Sequence, residues 1–75
     1  MITFDYLKNI ANILKSNNVD FDGMDIIYTI SNNDHELLNR ELYYIKNGSN
    51  KGLVMSNLIN IKIGNINFII KKENM

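Results

Sequence analysis

Leu58-Ile59-Asn60-Ile61-Lys62-Ile63-Gly64-Asn65-Ile66-Asn67-Phe68-Ile69-Ile70-Lys71 is the stretch whose reading decides the fold. Apolar and polar residues alternate on both sides of Gly64-Asn65, and a two-residue loop of this kind makes a type I′ or II′ hairpin turn. In that register Ile63 opposes Ile66, Ile61 opposes Phe68 and Ile59 opposes Ile70. Directly opposed residues of an antiparallel pair point the same way, so these six side chains share one face. Asn60, Lys62, Asn67 and Lys71 occupy the other, with Leu58 and Ile69 as apolar exceptions. One face of the hairpin is core and the other is mostly wet. Leu53 and Met55 continue the alternation backwards, which extends the first hairpin strand towards Leu53 with Asn57 as a bulge.

Working towards the N-terminus, Met24, Ile26, Tyr28 and Ile30 alternate with Asp25, Ile27 and Thr29, the pattern of a further strand. The segment between that strand and the hairpin reads as a helix. Asn33 caps it, Glu36 reaches back in a capping-box arrangement, and Asn47-Gly48 stops it. Its expected buried stripe is Leu38, Leu42 and Ile45, flanked by Leu37 and Tyr44. A rival reading pairs Glu41 to Lys46 with Leu53 to Ser56 as a second hairpin; the helical spacing favours the helix. At the start of the chain, Thr3 caps a first helix with Asp5 in its opening turn, where the helix dipole favours an acid. Phe4, Leu7, Ala11 and Leu14 form its stripe through about Asn17, widened by Tyr6, Ile10 and Ile13. Its polar face, Asp5, Lys8, Asn9, Asn12 and Lys15, is mixed rather than rich in Lys or Arg, which suits packing on a sheet and not on a membrane surface. The expected fold is α+β in the order α-β-α-β-β, an N-terminal helix packed on a small antiparallel sheet of three or four strands that ends in a C-terminal hairpin.

Seventy-five residues with neither proline nor an internal repeat leave room for one hydrophobic core, so 1–75 is expected to be a single domain with a short disordered tail. Hydrophobic residues make up 45% of the chain, enough for a packed interior. The chain has no cysteine, so neither disulfides nor thiolate metal ligands reinforce that core. Met1-Ile2-Thr3-Phe4-Asp5 lacks a leader pattern and no apolar run approaches about 20 residues, so no membrane span and a cytoplasmic location are expected. Asn, Ile and Lys are abundant, all with A/T-rich codons, which points to an AT-rich genome. Net charge is zero, yet acids dominate through Glu41 while Lys46, Lys51, Lys62, Lys71 and Lys72 face only Glu73 beyond it. The chain is a charge dipole.

Little in the residues supports chemistry. Asn18-Val19-Asp20-Phe21-Asp22-Gly23 places oxygen ligands at alternate positions before a glycine, as the first half of an EF-hand loop does. Thr29 stands where the bidentate Glu belongs, and a strand pattern replaces the exiting helix, so a helix-to-strand turn is expected and no metal. His35 lies between Asp34 and Glu36, neighbours that do not face it on a helix, and is expected to be a solvated surface residue. No phosphate loop, dinucleotide fingerprint or zinc spacing occurs, so neither an enzyme nor a cofactor is expected.

By elimination the surface carries the function. On the second helix His35, Asn39 and Tyr43 fall at i, i+4 and i+8 with Glu36 and Arg40 beside them, and His35, Asn39, Arg40 and Tyr43 form the first candidate binding patch. The acidic turn of Asp20, Asp22 and Asp25 is the second, suited to a basic groove. The expected function is stoichiometric binding of a larger protein. A phage or mobile-element product that inhibits or redirects a host or defence protein, in an anti-CRISPR-like role, fits the size and composition by analogy. The alternative is a nucleic-acid-associated accessory protein using the lysines of the hairpin, disfavoured by the single arginine, the few aromatics among the lysines and the acidic half. A homodimer is a further arrangement compatible with so small a domain.

Overall fold

The computed structural model describes residues 2–17 and 23–73. Five elements follow the expected order: α1 (Phe4–Ser16), β1 (Met24–Ile30), α2 (Asn32–Asn47), β2 (Leu58–Ile63) and β3 (Ile66–Lys72). The turn segment 18–22, with Asp20 and Asp22, lies outside the described residues, as do 74–75, where the disordered tail was expected.

Thr3 caps α1, its hydroxyl oxygen accepting from the Tyr6 amide at 3.1 Å, and Asp5 sits in the first turn. The helix buries Leu7 and Ala11, with Ile10 and Leu14 partly covered, while Tyr6 and Ile13 stay exposed along one flank. The α2 segment is a helix throughout, so the rival hairpin does not form. Its cap is Ser31 and not Asn33: Ser31 is extended, and its hydroxyl accepts from the Asp34 amide at 3.1 Å. Asn33 already lies within the first turn, where its own side chain cannot serve the free amides. Gly48 ends the helix in the left-handed conformation, φ 76°, its N–H donating to the Tyr44 carbonyl at 2.7 Å; a residue with a Cβ resists that conformation.

The three strands are ordered β1-β3-β2, with the last strand in the middle. The hairpin has the expected register: Ile63 with Ile66, Ile61 with Phe68, Ile59 with Ile70. β1 pairs with the other side of β3 in parallel, Met24 with Ile66 through Ile30 with Lys72. The sheet therefore has three strands and is mixed, where an antiparallel sheet was expected. Alternation along a strand reports which residues share a face and carries no information about direction. The connection through α2 and the loop after it sets the direction. Ser56, bonded to Asn39 of α2, brings the chain back to the end of the sheet where β1 finishes. β2 therefore runs antiparallel to β1, and the next strand, β3, runs parallel to it. Residues 53–57 do not extend β2. The Leu53 amide donates to the Asn50 carbonyl at 3.1 Å, and the Ser56 hydroxyl donates to the Leu58 carbonyl at 2.6 Å, so local bonds occupy groups that a longer ladder would need.

Both helices cover the same face of the sheet. Leu7, Ala11 and Leu38 pack with Ile59, Ile66, Phe68 and Ile70 in one buried cluster. Phe68 stacks against Tyr28 of β1 at 6.5 Å between centroids, and Tyr6 of α1 meets Tyr28 edge-on at 6.2 Å. The far face carries Asp25, Ile27, Thr29, Leu58, Asn60, Lys62, Asn67, Ile69 and Lys71.

Burial in this stack, helped by Tyr6, pushes the Tyr28 hydroxyl above the ordinary phenol value of 10.0. The folded state thus holds the proton more tightly than the unfolded state does. The stabilisation is fully present below the unfolded value and is lost as pH rises through the raised one. Urea midpoints are expected to fall in strongly alkaline solution, and less so for Tyr28→Phe. An identical decline in both proteins would show that another group titrates.

Candidate functional site

The α2 helix has a different rotation from the one its apolar residues suggest. His35, Leu38 and Asn39 are its buried residues, with Leu42 partly covered. His35 is 0% exposed. Its Nε2 lies 3.1 Å from the Ile70 carbonyl and its Nδ1 3.3 Å from Nδ2 of Asn39. A carbonyl only accepts, so Nε2 carries the hydrogen and donates, while Nδ1 accepts from Asn39. The Asn39 amide also donates to the Ser56 carbonyl at 2.9 Å, which fixes the orientation of its side chain. This chain of bonds runs from the middle strand through α2 to the loop before β2. No buried side-chain polar atom among the described residues lacks a partner.

The first candidate patch therefore does not form as expected. His35 and Asn39 are core residues, with both imidazole nitrogens occupied by structural bonds. Tyr43 is half-buried and its hydroxyl donates to the Lys51 carbonyl at 3.1 Å, tying the loop after α2 to the helix. Arg40 alone remains on the outer face, donating to Glu36 at 3.0 Å with both side chains half exposed. An exposed i, i+4 pair of this kind contributes only about 0.3–0.5 kcal/mol, so it does little for the fold.

In place of the expected patch, α2 presents Leu37, Tyr44 and Ile45, exposed by 42%, 57% and 53%. Leu37, Arg40 and Tyr44 are spaced i, i+3 and i+7, one stripe along the helix, with Ile45 on its flank. Glu41 beside them accepts the Phe4 amide at the start of α1, joining the two helices below this stripe. The result is an apolar strip with one tyrosine and one arginine, outward from the helical layer. Tyr and Arg are the residue types that most often dominate binding energies.

The second candidate patch is divided. Asp20 and Asp22 lie outside the described residues. Asp25 stands on the far face of the sheet, where its Oδ1 accepts from Asn67 at 3.2 Å, and is thus on the opposite layer from Arg40. Of the hairpin lysines, Lys62 and Lys71 share that far face, while Lys72 donates to Asn57 at 3.1 Å. No aromatic ring accompanies them there among the described residues, so the stacking surface that single-stranded nucleic acid needs is missing from this face. No cluster of three or more metal-ligating side chains occurs among the described residues. None of their helices is long and apolar enough to cross a membrane.

The strip was hidden in the sequence because α2 has more apolar residues than one face holds. Leu37, Leu38, Leu42, Tyr43, Tyr44 and Ile45 cannot all be buried on a helix covered from one side. The signal was in the spacing: His35, Leu38 and Leu42 fall at i, i+3 and i+7, which puts the histidine in line with the leucines on the covered face. The chain matches no family model, no curated protein and no solved structure.

Proposed function

We propose that this chain is a non-enzymatic binding protein that acts stoichiometrically on a larger protein through the outer face of α2. The observation that carries the reading is the exposed strip of Leu37, Arg40, Tyr44 and Ile45 on a rigid helix. Leucine, isoleucine and tyrosine left in water gain free energy when a partner covers them, at about 25 cal/mol per Å² of apolar area. A helical strip of this kind fits a hydrophobic groove, with Arg40 at its side to satisfy a carboxylate or carbonyl of the partner. The AT-rich composition and small size support a host or defence protein confronted by a phage or mobile element as the partner class, by analogy only.

The test is capture from native or host cells with the tagged wild-type chain, followed by affinity measurements on the protein recovered. Tyr44→Ala and Arg40→Ala are each expected to weaken binding by about tenfold or more, or about 1.4 kcal/mol. Both residues are about half exposed and lie on the outer face of α2, so melting temperatures should stay close to wild type. An Asp20, Asp22 and Asp25 to Asn triple variant should bind normally. Loss of binding in that triple variant, with Tyr44→Ala and Arg40→Ala unchanged, would move the site to the acidic turn. Binding that requires nucleic acid and collapses steeply with salt would favour the accessory role.

A further inference from the structure

We propose that two copies of this chain pair antiparallel along the outer edge of β1, centred on Ile27, to form one continuous six-stranded sheet. Among the described residues β1 is an edge strand, with β3 on one side only. The Glu73 amide donates to the Ile30 carbonyl at 2.9 Å, so Ile30 directs its backbone groups towards β3. Backbone direction alternates along a strand, and Tyr28, Ile26 and Met24 therefore do the same. Asp25, Ile27 and Thr29 direct their N–H and C=O groups away from the sheet.

These groups complement themselves. With Ile27 set opposite Ile27 of a second copy, Asp25 falls opposite Thr29 at either end, and each pair exchanges two hydrogen bonds. All the outward amides and carbonyls of these three residues in both strands are then satisfied. Side chains agree with the same register. On the helix-covered face Met24 meets Ile30 and Ile26 meets Tyr28. On the far face Ile27 is 57% exposed beside Ile69, its partner on β3; pairing closes a row of Ile69, Ile27, Ile27 and Ile69 across the two copies. No charge faces a like charge: Asp25 lies against Thr29, beyond which stands Lys71 on the next strand.

Two further features single out this edge. Tyr6, which packs on Tyr28, and Ile13, seven residues on, leave an exposed apolar flank of α1 at the same rim. β1 carries no lysine, proline or bulge and a single charge, Asp25 at one end, which the pairing sets against Thr29, whereas the opposite edge on β2 carries Lys62 in its ladder. A two-fold axis through Ile27 closes the assembly after two copies, so the contact does not propagate into a fibre.

Amide hydrogen exchange on the wild-type chain tests the pairing without any substitution. In a monomer the Ile27 and Thr29 amides face water and exchange freely, while those of Tyr28 and Ile30 are held by β3. The proposal expects protection of Ile27 and Thr29 to rise by about tenfold or more between low-micromolar and millimolar chain, in step with a dimer mass by sedimentation. Ile27→Lys, which sets two lysines against each other on the axis, should give a folded monomer. Leu58→Lys on the opposite edge should remain dimeric. A wild-type chain that is monomeric at millimolar concentration overturns the proposal. So does a dimer whose Ile27 and Thr29 amides still exchange freely, or one that Leu58→Lys dissociates and Ile27→Lys does not.

Discussion

Phe68→Ala is expected to be the most damaging single truncation in the protein, at about 3–5 kcal/mol. Phe68 is fully buried on the middle strand, opposite Ile61 and stacked on Tyr28, with Leu7, Leu38 and Ile70 in the same cluster. A ring lost from that position leaves a cavity bordered by both helices and all three strands, which cannot collapse without moving the sheet. A domain of this size has about 4–11 kcal/mol of total stability, so the variant approaches the limit of folding. Asn60→Ala, on the far face of β2, should change stability by no more than about 0.5 kcal/mol. Urea titration of the two variants measures the contrast. Equal costs on the two faces would mean that the hairpin register is wrong.

His35→Ala is expected to have the second-largest effect, at about 2–4 kcal/mol, an unusual cost for a polar residue near a helix start. It removes a fully buried side chain, its bond to the Ile70 carbonyl of β3 and its bond to the Asn39 side chain. His35→Leu separates the two contributions. Leucine refills most of the volume, the Asn39 amide keeps its bond to Ser56, and the Ile70 carbonyl keeps its place beside Ile59 in the ladder. That variant should lose about 1–2 kcal/mol, the worth of one or two buried hydrogen bonds. A solvated surface histidine would show neither loss, and a leucine variant as unstable as the alanine one would put the whole effect in hydrogen bonding and none in packing.

These two residues also mark how far the chain could be read before its fold was known. Phe68 was legible as core because its hairpin is specified locally: Gly64-Asn65 sets the turn, the turn sets the register, and the register sets the face. Arg40 was legible as exposed for a simpler reason, its charge. His35 and Asn39 were not legible, because a polar side chain is buried only where another element brings a partner to it. Their partners, Ile70 and Ser56, lie 35 and 17 residues further along the chain. With two polar residues on its buried face, α2 turns Leu37, Tyr44 and Ile45 outward, and the candidate surface moved from Tyr43 to Tyr44 with them.

The sequence by itself determined the first helix, the C-terminal hairpin and the core face of every strand, and favoured a helix over a rival hairpin for the segment between, since periodicity, caps and turn residues act over a few neighbouring positions. Tertiary structure decided the rest. The parallel run of β1, the rotation of α2 and the free edge at Ile27 all depend on which strand lies between which neighbours and on where a carbonyl of β3 meets a helix. Those are contacts between residues distant in the chain, and no local spacing encodes them.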